Sequence, residues 1–161
     1  MIYMKMNEKA NEEEMSEREE IKLICLGCQT FNKVMTAGLS EVPVCDKCGV
    51  PLLTGRVGEL TTASFTEIIE NTDLPVVVNF WTSWCGHCRN FESVFAGAAG
   101  ELKLQALLFK VETEEEPELV RQFAMMTTPT QVVFRGGKEV ARQTGVLQLP
   151  LLMEWLKPHL S

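Results

Sequence analysis

The alternation of apolar and polar positions changes character near residue 56. Beyond it, apolar runs of strand length take turns with segments of helical spacing. Val76–Trp81 (VVVNFW) is a run of β-branched and aromatic residues, with the length and composition of a strand buried on both faces. Phe91, Val94, Phe95, Ala98 and Leu102 follow at helical spacing and predict a helix within 89–104. Upstream, Val57 to Leu60 is a short strand candidate. Ser64-x-x-Glu67 reads as a capping box that starts a helix at about Phe65, ahead of Ile68 and Ile69. Downstream, Ala106 to Glu112 predicts another strand and Glu118 to Ala124 a helix, whose acidic approach suits the helix dipole. Thr130 to Arg135 and Lys138 to Thr144 predict a hairpin about Gly136-Gly137. Leu149 to Leu160 closes the chain as an amphipathic helix with Pro150 in its first turn. The order β-α-β-α-β-α-β-β-α has a parallel part and then an antiparallel hairpin. That calls for an α/β fold, a mixed central sheet with helices on both faces.

Before residue 56 the chain offers little to bury. Residues 1–20 are dominated by Glu and Lys and read as an acidic disordered tail, solvated, frayed or partly helical. Residues 21–56 carry a thin apolar set: Leu23, Phe31, Val34, Leu39, Val42 and Val44. A segment under ~40 residues usually needs a staple to fold alone. The staple is legible: Cys25-Leu-Gly-Cys28, sixteen residues, then Cys45-Asp-Lys-Cys48. Each pair turns the backbone so that two sulfurs face one point. Two such turns supply a closed tetrahedron of thiolates, which suits a structural zinc ion. Two disulfides, or an iron centre on the same ligands, are the alternatives. Pro51, Gly55 and Gly58, around Leu52 and Leu53, read as the connector to the domain at 57–161.

Composition narrows the function. The chain has 161 residues, 45% of them apolar, enough for one proper core and a small accessory module. Its net charge of -7 argues against nucleic acid or an anionic membrane as the main partner. No apolar run approaches the ~20 residues of a membrane span, and the N-terminus lacks the apolar core of a signal peptide. A cytoplasmic location is the expectation. There thiols stay reduced, and CxxC pairs serve catalysis or metal binding rather than structural disulfides.

The third CxxC is where chemistry is expected. Val76–Trp81 runs through Thr82, Ser83 and Trp84 into Cys85-Gly-His-Cys88 and then into the helical segment. Cys85 therefore sits where a strand hands over to a helix. Unpaired N–H groups and the positive end of the helix dipole stabilise a thiolate there, and the thiolate is the nucleophile.

Trp84-Cys-Gly-His-Cys88, Thr128-Pro129-Thr130 before a strand, and Gly145 after the last strand resemble the thioredoxin family. The four-cysteine module, with Asn32-Lys-Val34, Val44-Cys45 and Pro51-Leu-Leu53, resembles the zinc-bearing thioredoxin-2 type. The resemblance implies a thioredoxin fold over 57–161 preceded by a small zinc-ribbon-like module. It implies that Cys85 is the attacking cysteine and Cys88 the buried resolving one. Pro129 matches the family's cis-proline beside the disulfide. Thr128 offers backbone groups to an extended substrate, and Trp84, Gly86, Thr128 and Gly145 border the docking surface. The implied reaction is reduction of protein disulfides by dithiol–disulfide exchange. The implied partners are disulfide-containing proteins and a flavin-dependent thioredoxin reductase using NADPH. The chain has no nucleotide-binding glycine fingerprint, so no bound flavin or nicotinamide is expected of it. Alternatives are a disulfide isomerase or oxidant, and a zinc-dependent redox-sensing binding module.

The sequence departs from the family at several positions. His87 stands where proline is usual and is expected to stabilise the Cys85 thiolate, giving a more oxidising couple. Asn79 stands where a buried aspartate is usual, and an amide cannot take the Cys88 proton. Ser93 replaces a helix-kinking proline. Lys110 loses its usual carboxylate partner and is expected to be solvated or paired with a glutamate. Trp81 reads as a core aromatic.

Overall fold

The computed structural model describes residues 20–35 and 42–160. The chain forms two compact units that divide between Leu52 and Leu53. The acidic stretch up to residue 19 and Leu39 lie outside the described residues.

The first unit is built on a hairpin of β1 (Glu20–Ile24) and β2 (Phe31–Met35), paired antiparallel from Glu20↔Met35 to Ile24↔Phe31. Leu23 and Val34 are buried, as their apolar character predicts. Val42 and Val44, expected in the same core, are 61% and 55% exposed. The reason is the two-residue period of extended chain. Val44 bridges Pro51, and its neighbour Cys45 turns inward and is 2% exposed, which sends Val44 outward.

The second unit opens with β3 (Gly58–Glu59), α1 (Thr62–Asn71), β4 (Val76–Trp81) and α2 (Gly86–Glu101). β5 (Leu107–Glu112), α3 (Pro117–Gln122), β6 (Thr130–Arg135), β7 (Lys138–Thr144) and α4 (Leu149–Leu156) follow. The sheet order is β3-β5-β4-β6-β7. β3 and β4 lie parallel to β5, while β6 is antiparallel to both β4 and β7. This is the mixed sheet the element order calls for. Gly136 and Gly137 both take positive φ, 58° and 82°, which a two-residue hairpin turn requires.

Helix starts are where sequence and structure part. α1 begins at Thr62, because Thr61 is the cap and its N–H donates to Ser64 Oγ at 3.1 Å. Ser64 thus serves as the third helical residue of the box, not as the cap that the Ser64/Glu67 spacing predicted. α3 begins at Pro117, whose missing N–H costs nothing at a first helical position. α4 stops at Leu156, and a 3-10 turn over Lys157–His159 takes its place. Pro158 accounts for the change, since it can neither donate to the helix nor fit behind the preceding turn.

β4 lies in the middle of the sheet, and the alternation of its side chains makes two different faces. Phe80 points to one of them, its ring 6.1 Å from that of Phe123, which in turn meets Phe65 at 5.1 Å and Phe134 at 5.4 Å. Val77 points to the other, packed with Phe91, Phe95 and Ala98 of α2 and Leu152 and Leu156 of α4. Full burial of each such side chain stabilises by about 1.5–3 kcal/mol. On that second face the apolar cover gives out toward the C-terminal end of β4. Asn79 sits opposite Lys110 of β5 and Gln131 of β6, so a polar row crosses three central strands. Among the described residues, no helix is long and apolar enough to cross a membrane.

Candidate active site and cysteine cluster

The end of β4 delivers Thr82, Ser83 and Trp84 into a tight turn, closed by the Cys85 N–H donating to Thr82 O at 3.2 Å. Cys85 is the N-cap of α2, with extended backbone (φ -89°, ψ 111°). Its sulfur accepts the N–H of Cys88 at 3.1 Å, which satisfies one of the free donors of the helix end. On its other side, Cys85 Sγ lies 3.6 Å from Thr128 O. The Thr128–Pro129 peptide is cis. Its loop is held by Thr130 Oγ1 donating to Thr127 O at 2.8 Å and by Gly145 N–H donating to Pro129 O at 2.9 Å. Two distant loops are thereby fixed against the start of α2.

The two thiols are pushed apart in acidity. Burial opposes ionisation of Cys85, but hydrogen bonds from the Cys88 thiol and N–H, the Thr128 side chain and the His87 N–H outweigh it. They hold Cys85 below the ordinary thiol range. Cys88 is only 2% exposed, and burial first, then the neighbouring Cys85, pushes its thiol up.

Of the residues singled out from sequence, Cys85, Cys88, Thr128, Pro129 and Gly145 are drawn together by these contacts. Trp84 is 78% exposed on the same rim. A Cβ on Gly86 or Gly145 would meet none of the described residues within 4 Å, so the surface they form is open at both. The ring of His87 is exposed, and the group that reaches Cys85 is its backbone N–H.

Behind Cys88 lies a cavity of about 540 Å³, whose lining includes Asn79, Trp81, Lys110, Arg56 and Glu92. Asn79 is buried, and its Oδ1 accepts from Gln131 Nε2 at 3.2 Å. Lys110 pairs with Glu59 at 3.6 Å, the glutamate pairing expected of it, and its Nζ stands 5.4 Å from the Trp81 ring centroid. Trp81 is half-buried rather than a core aromatic, because β4 ends at the cavity wall. Its Nε1 is buried without a hydrogen-bond partner among the described residues. Gln131 and Glu92 escaped the sequence reading. Glu92 was findable, since it follows Cys88 by one helical turn. Gln131 was not, because its place opposite Asn79 depends on strand register.

In the first unit, the four remaining cysteines meet. Cys25 Sγ and Cys48 Sγ are 3.6 Å apart, as are Cys28 Sγ and Cys45 Sγ, and all four sulfurs lie within 4.8 Å of one another. A tetrahedron with metal–sulfur bonds of about 2.3 Å has edges of about 3.8 Å, so the cage is of the right size. The turns repeat each other. Gln29 N donates to Cys25 O at 2.8 Å and Gly49 N to Cys45 O at 2.9 Å, with positive φ at Gln29 and Gly49. Gly27 N donates to Cys25 Sγ at 3.3 Å, and Asn32 Nδ2 to Cys45 Sγ at 3.5 Å. Cys45 is held down to about 6, chiefly by the Cys48 N–H and the Asn32 amide. The Val50 N–H pulls the Cys48 thiol down, but desolvation and the three neighbouring sulfurs together override it and push it up to about 12. Four sulfurs this close cannot all ionise unaided, and a divalent cation removes that conflict. The donor set fits a metal that prefers four thiolates.

The comparisons agree with the geometry. The thioredoxin family matches residues 56–158. Thioredoxin C-3 of Corynebacterium nephridii is 33% identical over 139 residues, 86% of this chain and 95% of that protein. Thioredoxin 1 of Nostoc sp. is 31% identical over 102 residues, 63% of this chain and 95% of its own. The bifunctional thioredoxin reductase/thioredoxin of Mycobacterium leprae is 36% identical over 87 residues, 54% of this chain but 19% of that longer protein. The fold and these matches place the chain in the thioredoxin family.

Proposed function

We propose that this protein reduces disulfides in other proteins by dithiol–disulfide exchange through Cys85 and Cys88. The observation that carries this reading is the 3.1 Å hydrogen bond from the Cys88 N–H to a half-buried Cys85 sulfur at a helix N-terminus. The Cys85 thiolate attacks a substrate disulfide, a mixed disulfide forms, and one substrate sulfur leaves. Cys88 then displaces the other substrate sulfur, and the two electrons pass from the Cys85–Cys88 dithiol to the substrate. Thr128 lies beside the reacting sulfur, its O 3.6 Å away, and its backbone is where an extended substrate adds like a strand. Trp84 and the open surface at Gly86 and Gly145 border that docking site.

Recycling needs a second enzyme, a flavin-dependent thioredoxin reductase drawing on NADPH. A relative that joins both functions in its name supports that partner. We assign the chain to the zinc-bearing thioredoxin-2 type. It has a tail at 1–20, a zinc module and linker at 21–56 and a thioredoxin domain at 57–161, and it works in the reducing cytoplasm. The match to a relative over 139 residues, longer than the family segment, supports the two-part layout. Cys25, Cys28, Cys45 and Cys48 would hold the zinc. A bound zinc locks the two turns without an open position for chemistry.

Coupled reduction of a protein disulfide, with NADPH and a thioredoxin reductase, tests the reading. Refolding of a scrambled protein in parallel tests the isomerase alternative, which the readily ionised Cys85 thiol and the Cys-Gly-His-Cys motif favour. Rapid NADPH consumption with little refolding supports the reductase. The reverse pattern overturns it.

His87 sets the poise of the pair. Replacing it with proline removes the backbone N–H that helps hold the Cys85 thiolate. The reduced form loses stability, and the measured potential falls, by about 30 mV for each ~1.4 kcal/mol lost. A potential unchanged or raised in His87→Pro contradicts this assignment.

A further inference from the structure

Resolution requires Cys88 to lose a proton, and the groups behind it narrow down where that proton goes. Asn79 is an amide, with its oxygen already engaged by Gln131. Arg56 and Lys110 are cations with no lone pair to offer, and Lys110 is turned toward Glu59 and the Trp81 ring. The Trp81 indole only donates. Among the described residues lining this cavity, Glu92 alone is a carboxylate. It stands four positions beyond Cys88 on α2, so the two side chains share a helix face with Cβ atoms about 5–6 Å apart. Helical side chains tilt toward the N-terminus, which carries Glu92 back over the turn that bears Cys88. Glu92 is also exposed, so a proton that reaches it is one step from bulk solvent.

We propose that Glu92 is the general base for resolution, taking the Cys88 proton through water held in the cavity behind the dithiol. This inference rests on the assignment of Cys88 as resolving thiol and extends it to the residue that activates it. A cavity of about 540 Å³ is far larger than the ~30 Å³ share of one water. The unpartnered Trp81 Nε1 in its wall is a donor that such water satisfies. In the step, the Cys88 S–H bond breaks and its proton passes by water to the Glu92 carboxylate. The Cys88 thiolate attacks Cys85 Sγ, the Cys85–Cys88 bond forms, and the bond from Cys85 to substrate sulfur breaks. The substrate leaves as a thiolate, reduced, and takes up a proton from Glu92 or solvent. Glu59 stays outside the relay, because it lines a neighbouring surface groove rather than this cavity.

A reduced-protein stopped-flow reaction with dithiobis(nitrobenzoate) tests this, since it releases one coloured thiolate at each step. The first release reports attack by Cys85 and the second reports displacement by Cys88. Glu92→Gln is expected to slow the second release about tenfold or more near neutral pH, while the first stays within about twofold. The gap closes as pH rises and Cys88 ionises unaided, and Glu92→Asp recovers part of the rate. A second release equal to wild type at every pH overturns the proposal, as does equal slowing of both releases. A first release of unchanged rate in Cys85→Ser, where only Cys88 and the four thiols of the first unit are left to react, signals instead that the assignment of the dithiol itself has failed.

Discussion

Replacing Cys85 with serine is expected to reduce NADPH-coupled disulfide turnover on the order of a thousandfold or more, to the background of the assay. The substitution keeps the hydrogen bonding of the helix start, because a hydroxyl also accepts the Cys88 N–H now 3.1 Å from the sulfur. What disappears is the ionisable, polarisable atom that forms and breaks the bond to substrate. Fold and bound zinc should be unaffected, and measuring both on the same sample excludes simple unfolding. Wild type carries a companion signature in pH. The Cys85 thiol is held below its ordinary range, so its alkylation stays fast as pH falls below that of free cysteine. Reactivity declines only when the lowered pKa is crossed. Turnover surviving in Cys85→Ser removes the basis for the proposed chemistry.

The second large effect belongs to the other unit. Cys45→Ser is expected to drop bound zinc from about one per chain to near none. The β1–β2 hairpin should then lose its hydrogen-exchange protection. Structural zinc contributes on the order of 10–16 kcal/mol in small thiolate modules, and this hairpin has few buried apolar side chains to replace it. Cys45 is the informative ligand because it is buried and holds the Asn32 amide, whose Oδ1 in turn accepts the Asp46 N–H at 2.9 Å. Removing its thiolate breaks the cage and that local tie together. Disulfide turnover by Cys85 and Cys88 is expected to survive within a few-fold. An apo hairpin as protected as the zinc form would refute the structural role of the metal. Loss of turnover in parallel with zinc would favour the redox-sensing alternative.

Much of this was legible because the relevant signals are local. Val76–Trp81 could only be a doubly covered strand, and Gly136-Gly137 between two alternating runs could only be a tight hairpin. The cysteine pairs announced themselves by spacing, and the four sulfurs of the first unit do converge. The failures were of two kinds. Helix starts depended on which hydroxyl met which N–H, and the Ser64 box was one turn out of place. Surroundings of the dithiol depended on register between strands far apart in sequence. No periodicity places Gln131 against Asn79 or leaves the Trp81 N–H unpartnered in a cavity wall. The exposed valines of the first unit have a similar origin, because a sulfur turned inward at Cys45 dictates the outward direction of Val44.

The unlike faces of β4 carry a consequence for how variation should read out. Substitutions among Phe65, Phe80 and Phe134, the aromatic layer, should register as melting temperature, with the chemistry of surviving molecules unchanged. Changes in the polar row should show less in melting, apart from the cost of breaking the buried Asn79–Gln131 hydrogen bond, and more in how fast a captured substrate is let go. One strand, read at odd and even positions, would then record two separate histories of selection.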